Sequence, residues 1–283
     1  MILNTFPKAD DFYKNYWGKK PFIVKKAIPE KLFEDLIDPD HLAGLALEED
    51  IQSRIVTRPQ DGQNWLCEHG PFQEDIFAQL STKNWSLLVQ NVEDYHPDTG
   101  KLLNHFNFSP RWLMDDIMVS YSVVGGGVGP HIDSYHVFLV QGIGKRKWTI
   151  GCSASNNNDC IAGLDLKVLK EDIEGEDIET SIGDVIYIPP NFVHQGITTQ
   201  EAMTFSAGFL GPKISELLIE YGYYLEQNDR QNIRYNGDGL NTDSAGSLMP
   251  HDAQKDLQEK LVNSLELDSF YIWLNEYFSK KNN

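Results

Sequence analysis

From Asp116 to Phe209 the chain is a succession of short β-prone runs cut by glycine and proline: IMVSYSVV, HIDSYHVFLV, KRKWTI, DVIYIPP and AMTFSAGF. Several short strands at this spacing point to a sandwich or barrel-like, mainly β core. The first hundred or so residues mix short helical and strand patterns. Phe12, Tyr16 and Trp17 recur at helical spacing, Pro21–Val24 reads as a strand entry, and WSLLVQNV at 85–92 reads as another strand. After Gly211-Pro212 the period changes. Ile214, Leu217, Leu218, Tyr221 and Leu225 fall on one helical face, with Pro212 suited to a first turn. Residues 228–250 are polar and glycine-containing and read as a loop, and Phe270, Trp273, Leu274, Tyr277 and Phe278 form a second helical stripe. The expected organisation is a β domain over 1–211 with an N-terminal α/β elaboration, then a small helical segment over 212–283.

Charge narrows the possible partners. Asp and Glu number 42 against 24 Lys and Arg, a net charge of -18. Such a chain repels phosphate, which argues against direct nucleic-acid binding and anionic membranes and favours a basic protein or a small cation. No apolar run is long enough to span a bilayer, and the N-terminus does not read as a secretory signal. Three cysteines at no zinc-ligand spacing suggest reduced thiols and a cytoplasmic protein. The acidic run at 171–179 (EDIEGEDIE) reads as a solvated loop.

A facial triad for non-haem iron needs two histidines and one carboxylate, with open positions for reactants. His-x-Asp supplies two of these, because residues i and i+2 of a strand point to the same side. The tripeptide occurs twice, little more than chance provides. His96-Pro97-Asp98 lies in DYHPDTG, which is turn chemistry, and its central proline weakens a strand reading. His131-Ile132-Asp133 follows the glycine-rich GGGVGP and enters a strongly β-prone segment, so it is preferred. The distal ligand should be a histidine at the end of a later strand. His194 fits, placed in the turn after the DVIYI strand and Pro189-Pro190; His136 competes, but on an unbroken strand it faces away from His131.

Iron of this type usually works with an electron-donating co-substrate. 2-Oxoglutarate chelates through its keto-acid end, and its far carboxylate needs a basic or hydroxyl partner. In KRKWTI, Arg146 shares a face with Trp148 and Ile150, so it should point inward, and its guanidinium matches a carboxylate bidentately. Ser120 and Ser122 alternate on one face of IMVSYSVV and could donate to the same carboxylate. A solvated hairpin end at Lys145–Lys147 is the competing reading.

The stretch DDIMVSYSVVGGGVGPHIDSYHVFLVQGIGKRKW, with GDVIYIPPNFVHQG further on, resembles the Jumonji-C ribosomal oxygenases, also called the cupin-4 group. The likeness also covers FYKNYWGKKPFIVKKAIP, IQSRIV and NWSLLVQNVEDYHP, and weakly FYIWLNEYFSK. It implies a double-stranded β-helix (a jelly-roll of cupin/Jumonji-C type) followed by a helical dimerisation region, hence a homodimer. It implies Fe(II) at His131, Asp133 and His194, and 2-oxoglutarate at Arg146, with Ser120 and Ser122 on the adjoining strand. The implied activity consumes O2 and 3-hydroxylates an arginine of a large-subunit ribosomal protein, a basic substrate that suits the net charge. Family members also carry a C-terminal winged-helix domain beyond the point where this sequence ends. Three alternatives stay open: a cupin-type isomerase or co-substrate-independent dioxygenase, a histidine-directed ribosomal oxygenase, and a non-catalytic binding module on the same barrel.

Overall fold

The computed structural model describes residues 1–58, 65–155, 159–171, 173–228, 233–237 and 249–281. They form two compact units, Met1–Gly211 and Pro212–Asn283. In the first, the strands are β1 (Ile2–Leu3), β2 (Phe22–Val24), β3 (Ser53–Thr57), β4 (Leu66–His69), β5 (Trp85–Val89), β6 (Met114–Ser122), β7 (His131–Ile132), β8 (His136–Ala154), β9 (Glu176–Ser181), β10 (Val185–Ile188) and β11 (Phe192–Phe209). Helices α1 (Ala9–Asn15), α2 (Pro39–Leu45), α3 (Ile76–Gln79), α4 (Val92–Tyr95) and α5 (Pro97–Gly100) fill the N-terminal half.

Two long strands organise this unit. β8 and β11 pair antiparallel from His136–Phe209 at one end to Ala154–Phe192 at the other. The first part of β8 pairs with β10 and the second part with β9. β11 pairs with β7 near its start and with β6 over its second half. Each long strand therefore serves two layers. One layer runs β2-β10-β8-β11-β6-β5-β3-β4, and the other holds β9, the far halves of β8 and β11, and β7. This is the double-stranded β-helix, mainly β with added helices. HVFLV and KRKWTI, read separately in the sequence, are one bent strand, while His131–Ile132 just before them is the separate strand β7.

The bend lies at Gly142–Gly144 and changes which residues face inward. Before it, Val137 and Leu139 point between the layers; after it, Trp148 and Ile150 do, and all four join Ile186, Ile188 and Phe192 in one buried cluster. Register shifts in the facing strand β11 accommodate the change. Gly144 has φ +63, and a Cβ there would sit 1.8 Å from the Glu201 carbonyl oxygen. Gly144→Ala is therefore expected to cost about 3 kcal/mol or more, seen as a fall in the urea midpoint at unchanged m-value. The opposite face of the first layer packs Phe138, Val140, Val185 and Tyr187 against Phe12, Phe22 and Phe106, an aromatic core covered by the N-terminal helices.

Several local expectations change. β5 stops at Val89, and residues 92–95 turn into helix. Pro97–Gly100 is a helical turn with proline at its start, where a missing N–H costs nothing. The second half of the acidic run is strand β9, not loop. Thr180 and Ile178 turn inward, while Asp177 and Glu179 face Lys147 at 2.7 Å and Lys145 at 3.6 Å. Alternating acids opposite lysines make an edge strand out of what composition alone paints as solvated loop. Asp172 lies outside the described residues.

The second unit holds α6 (Ile214–Gln227), α7 (His251–Leu265) and α8 (Asp268–Lys281). Tyr221 is buried, donates its hydroxyl to the Ser264 carbonyl at 2.8 Å, and packs its ring 5.0 Å from those of Phe270 and Trp273. Helix α7 was not anticipated. Its sequence is mostly polar and buries only Ala253. Of the loop expected over 228–250, residues 229–232 and 238–248 lie outside the described residues. Among the described residues, no helix is long and apolar enough to cross a membrane.

Candidate active site

The pairing of β7 with β11 sets His131 directly opposite His194. Their rings lie 4.2 Å apart. Asp133 follows β7, and its carbonyl accepts from Asn191 N–H at 2.8 Å, tying the segment to the turn before β11. One carboxylate oxygen of Asp133 lies 3.6 Å from Nε2 of His194 and 3.9 Å from Nε2 of His131. Among the described residues, these three are the group whose ligand atoms, all within 4.8 Å of one another, could share a metal ion. His194 stands in strand β11, not in the preceding turn: Phe192–Val193 already pair, so the strand begins before the histidine.

Backbone carbonyls fix both imidazoles. Nδ1 of His131 faces the Gly129 carbonyl at 2.9 Å, and Nδ1 of His194 faces that of Phe192 at 3.0 Å. With Nδ1–H donating, each Nε2 keeps its lone pair for the shared centre. Burial, with His131 adding to it, pushes the His194 pKa down to about 4, so the ring is held neutral as a ligand must be. Gly129 makes the approach possible: it has φ +79, and a Cβ would press to 2.6 Å from Val168.

A cavity of about 450 Å³ joins this cluster to Arg146, Ser120 and Trp148. Arg146 is buried behind it. Its guanidinium donates to Ser122 Oγ at 2.5 Å and to Thr198 Oγ1 at 3.1 Å, and Ser122 in turn donates to Ser86. No carboxylate forms an ion pair with it among the described residues. Burial lowers its pKa to about 10. Ser120 lines the cavity and donates its hydroxyl to the Thr204 carbonyl at 3.5 Å. Thr204 stands directly opposite Ser120 on β11, and its hydroxyl is fully enclosed without a partner among the described residues. A buried cation with no ion pair is costly without an anion. These groups fit the far carboxylate of a short dicarboxylate whose other end reaches the His–Asp–His cluster.

A second cavity of about 340 Å³ shares Met118, Tyr135, Val137 and Ser206 with the first, and Asp115 and Asp116 stand in its wall. Burial, then the neighbouring Glu93 carboxylate, raises the Asp116 pKa to about 6. Glu93 is locked in place, accepting Ile117 N–H with both oxygens, at 2.9 and 3.0 Å. The Tyr135 phenol is pushed up by burial and by the Asp133 carboxylate to which it donates. Neither Asp116 nor Tyr135 is among the site residues that the sequence singles out. The signal was the strand period, since Asp116, Met118, Ser120 and Ser122 occupy one face of β6.

The rejected residues lie elsewhere. His96 contacts Thr99 and Asp98 pairs with Lys101. His136 stacks on Trp17 at 3.4 Å and meets the Tyr187 hydroxyl at 2.8 Å.

Comparison with known proteins places this geometry. Residues 101–217 match the JmjC domain. The chain is 37% identical over 274 residues to the ribosomal protein uL16 3-hydroxylase of Escherichia coli K12, covering 95% of this chain and 71% of that one. It is also 37% identical over 210 residues to a probable ribosomal oxygenase of Haemophilus influenzae, of whose length it matches half. The E. coli ribosomal oxygenase YcfD, solved with cobalt and 2-oxoglutarate, superposes with TM-score 0.78 at 34% identity, over 95% of this chain and 70% of that one. Fold and sequence agree along nearly the whole length, and the chain belongs to the JmjC family, in its ribosomal oxygenase branch.

Proposed function

We propose that the chain is an Fe(II)- and 2-oxoglutarate-dependent protein hydroxylase acting on an arginine side chain of a large-subunit ribosomal protein. His131, Asp133 and His194 would hold the metal, and Arg146 with Ser120 and Ser122 would hold the co-substrate. Ferrous iron with 2-oxoglutarate and O2 supplies insertion of one oxygen atom into a C–H bond, with succinate and CO2 as co-products. The chain's own residues do the rest. Arg146 anchors the dicarboxylate, Trp148 and Leu139 exclude water around it, and Asp116 with Tyr135 seats the target side chain beside the metal.

The acidic second cavity carries the reading of substrate. A half-buried carboxylate in the cavity that adjoins the metal cluster selects a guanidinium and gives no comparable hold on a neutral imidazole, which favours arginine over histidine. The unpaired Arg146 favours a co-substrate enzyme over a cupin isomerase. Mass spectrometry of ribosomal proteins incubated with the enzyme, iron and 2-oxoglutarate should show one added oxygen on a single arginine. An oxygen on histidine instead would overturn the substrate assignment.

Asp116 must be ionised to pair with a guanidinium. With its pKa near 6 in the free enzyme, KM for an arginine substrate should fall about tenfold between pH 5 and pH 7 and then level. The raised pKa also means that the ionised carboxylate destabilises the fold as pH rises above its unfolded value near 4. Asp116→Asn should therefore gain roughly 1–3 kcal/mol of stability at neutral pH while losing the pH dependence of KM.

A homodimer formed through the helical unit accompanies this function. Ile214, Leu218, Ile219, Tyr223 and Tyr271 are each more than half exposed within that unit, more apolar surface than solvated helices usually leave open. Sedimentation equilibrium of the wild type should give a dimer, and Leu218→Glu with Ile219→Glu a monomer. A ribosomal substrate makes the cytoplasm the place of action.

A further inference from the structure

The acid-lined cavity does not end the groove. A third cavity of about 540 Å³ continues from it, sharing Gln52 and Gln90 with the second and Arg54 and Leu88 with the first. It lies where the strands β3, β4 and β5 meet the barrel mouth: Gln90 N–H bonds the Gln52 carbonyl and Gly70 N–H bonds that of Ser53. An arginine side chain and a dicarboxylate leave this space unfilled, and it is large enough for several residues of extended chain. Its walls suit a polypeptide. Gln52 and Gln90 carry amides that both donate and accept, and the Gln90 Oε1 is enclosed at the junction without a hydrogen-bond partner among the described residues. At the outer end stand Glu49 and Asp50, both exposed and in no ion pair among the described residues.

We infer that this third cavity binds the substrate chain flanking the target arginine. Gln90 accepts a main-chain N–H of that flank, and Glu49 and Asp50 pair with a second basic residue a few positions from the target. The enzyme thus selects an arginine by its basic neighbourhood and not by the side chain alone. This rests on the arginine-hydroxylase reading above and names the substrate feature that accompanies it.

The test uses two synthetic peptides with one central arginine. In one the flanks carry lysine, and in the other the lysines are replaced by serine. Hydroxylation is read by mass spectrometry and succinate release. The lysine-flanked peptide should show the lower KM, and Glu49→Gln with Asp50→Asn should raise its KM about three- to tenfold, with kcat falling by less than KM rises. The same double variant should leave the two peptides with nearly equal KM. Gln90→Leu, which cannot accept the main-chain bond, should raise KM for both peptides about two- to tenfold, and Gln90→Glu should restore much of it. Equal KM for the two peptides in the wild type, or a lysine preference untouched by the double variant, overturns the proposal while leaving the hydroxylase intact. Absence of oxygen on any arginine peptide, with succinate formed on another residue type, overturns the underlying reading instead.

Discussion

Replacing His194 with alanine should abolish turnover: succinate formation coupled to hydroxylation falls by at least about a thousandfold, and ferrous iron no longer titrates into the protein at stoichiometry. The reason lies in how few donors converge. Two imidazoles and one carboxylate are the cluster the described residues offer, and His194 is the most buried of them, with its Nδ1 committed to the Phe192 carbonyl. Among the described residues, no further side chain joins the cluster to replace its Nε2. His136 is the useful comparison, because it stacks on Trp17 outside the cavity. His136→Ala should lose stability and keep its iron. Iron binding retained at full affinity in the His194 variant would remove the metal assignment, and with it the chemistry proposed for the chain.

Arg146 offers an effect of similar size with opposite signs in two measurements. Arg146→Leu should weaken 2-oxoglutarate binding by about a hundredfold or more, since a buried charge-assisted contact is lost. Without ligand, the same variant should be as stable as the wild type or more so. Burial lowers the guanidinium pKa from 12.5 to about 10, equivalent to roughly 3 kcal/mol against the charged form in the empty pocket. A base with a lowered pKa destabilises the fold at every pH where it stays protonated, and leucine removes that cost. Adding 2-oxoglutarate should raise the wild-type melting temperature and leave that of the variant unchanged. Arg146→Lys should fall between, keeping charge but losing the planar fork. A leucine variant that binds 2-oxoglutarate like the wild type would sink the assignment.

Much of the site was visible in the sequence because strand periodicity places side chains without knowledge of the fold. Arg146 with Trp148, and Ser120 with Ser122, share faces for that reason alone. What periodicity could not supply was which strands meet. The facing of His131 and His194 depends on a two-residue strand, β7, too short to leave a pattern. Asp116 and Tyr135 were passed over although Asp116 shares a strand face with Ser120, four residues on, and Tyr135 sits two residues from Asp133, because nothing in one strand says that its end overhangs a second cavity. Helix α7 escaped because a polar helix with a single buried alanine has no apolar stripe to read. The edge strand β9 escaped because its stabilising lysines lie some thirty residues earlier, in β8.

The shared use of β8 and β11 by both layers has a consequence for motion. Neither layer can peel away while the other stays closed, because the same two backbones would have to be broken and intact at once. The strand framework around the metal is thus an all-or-none unit, and slow amide exchange along both strands should carry a single opening energy. Admission of a protein substrate must then be met by the connections that rim the mouth, leaving the inner walls as fixed as a mould.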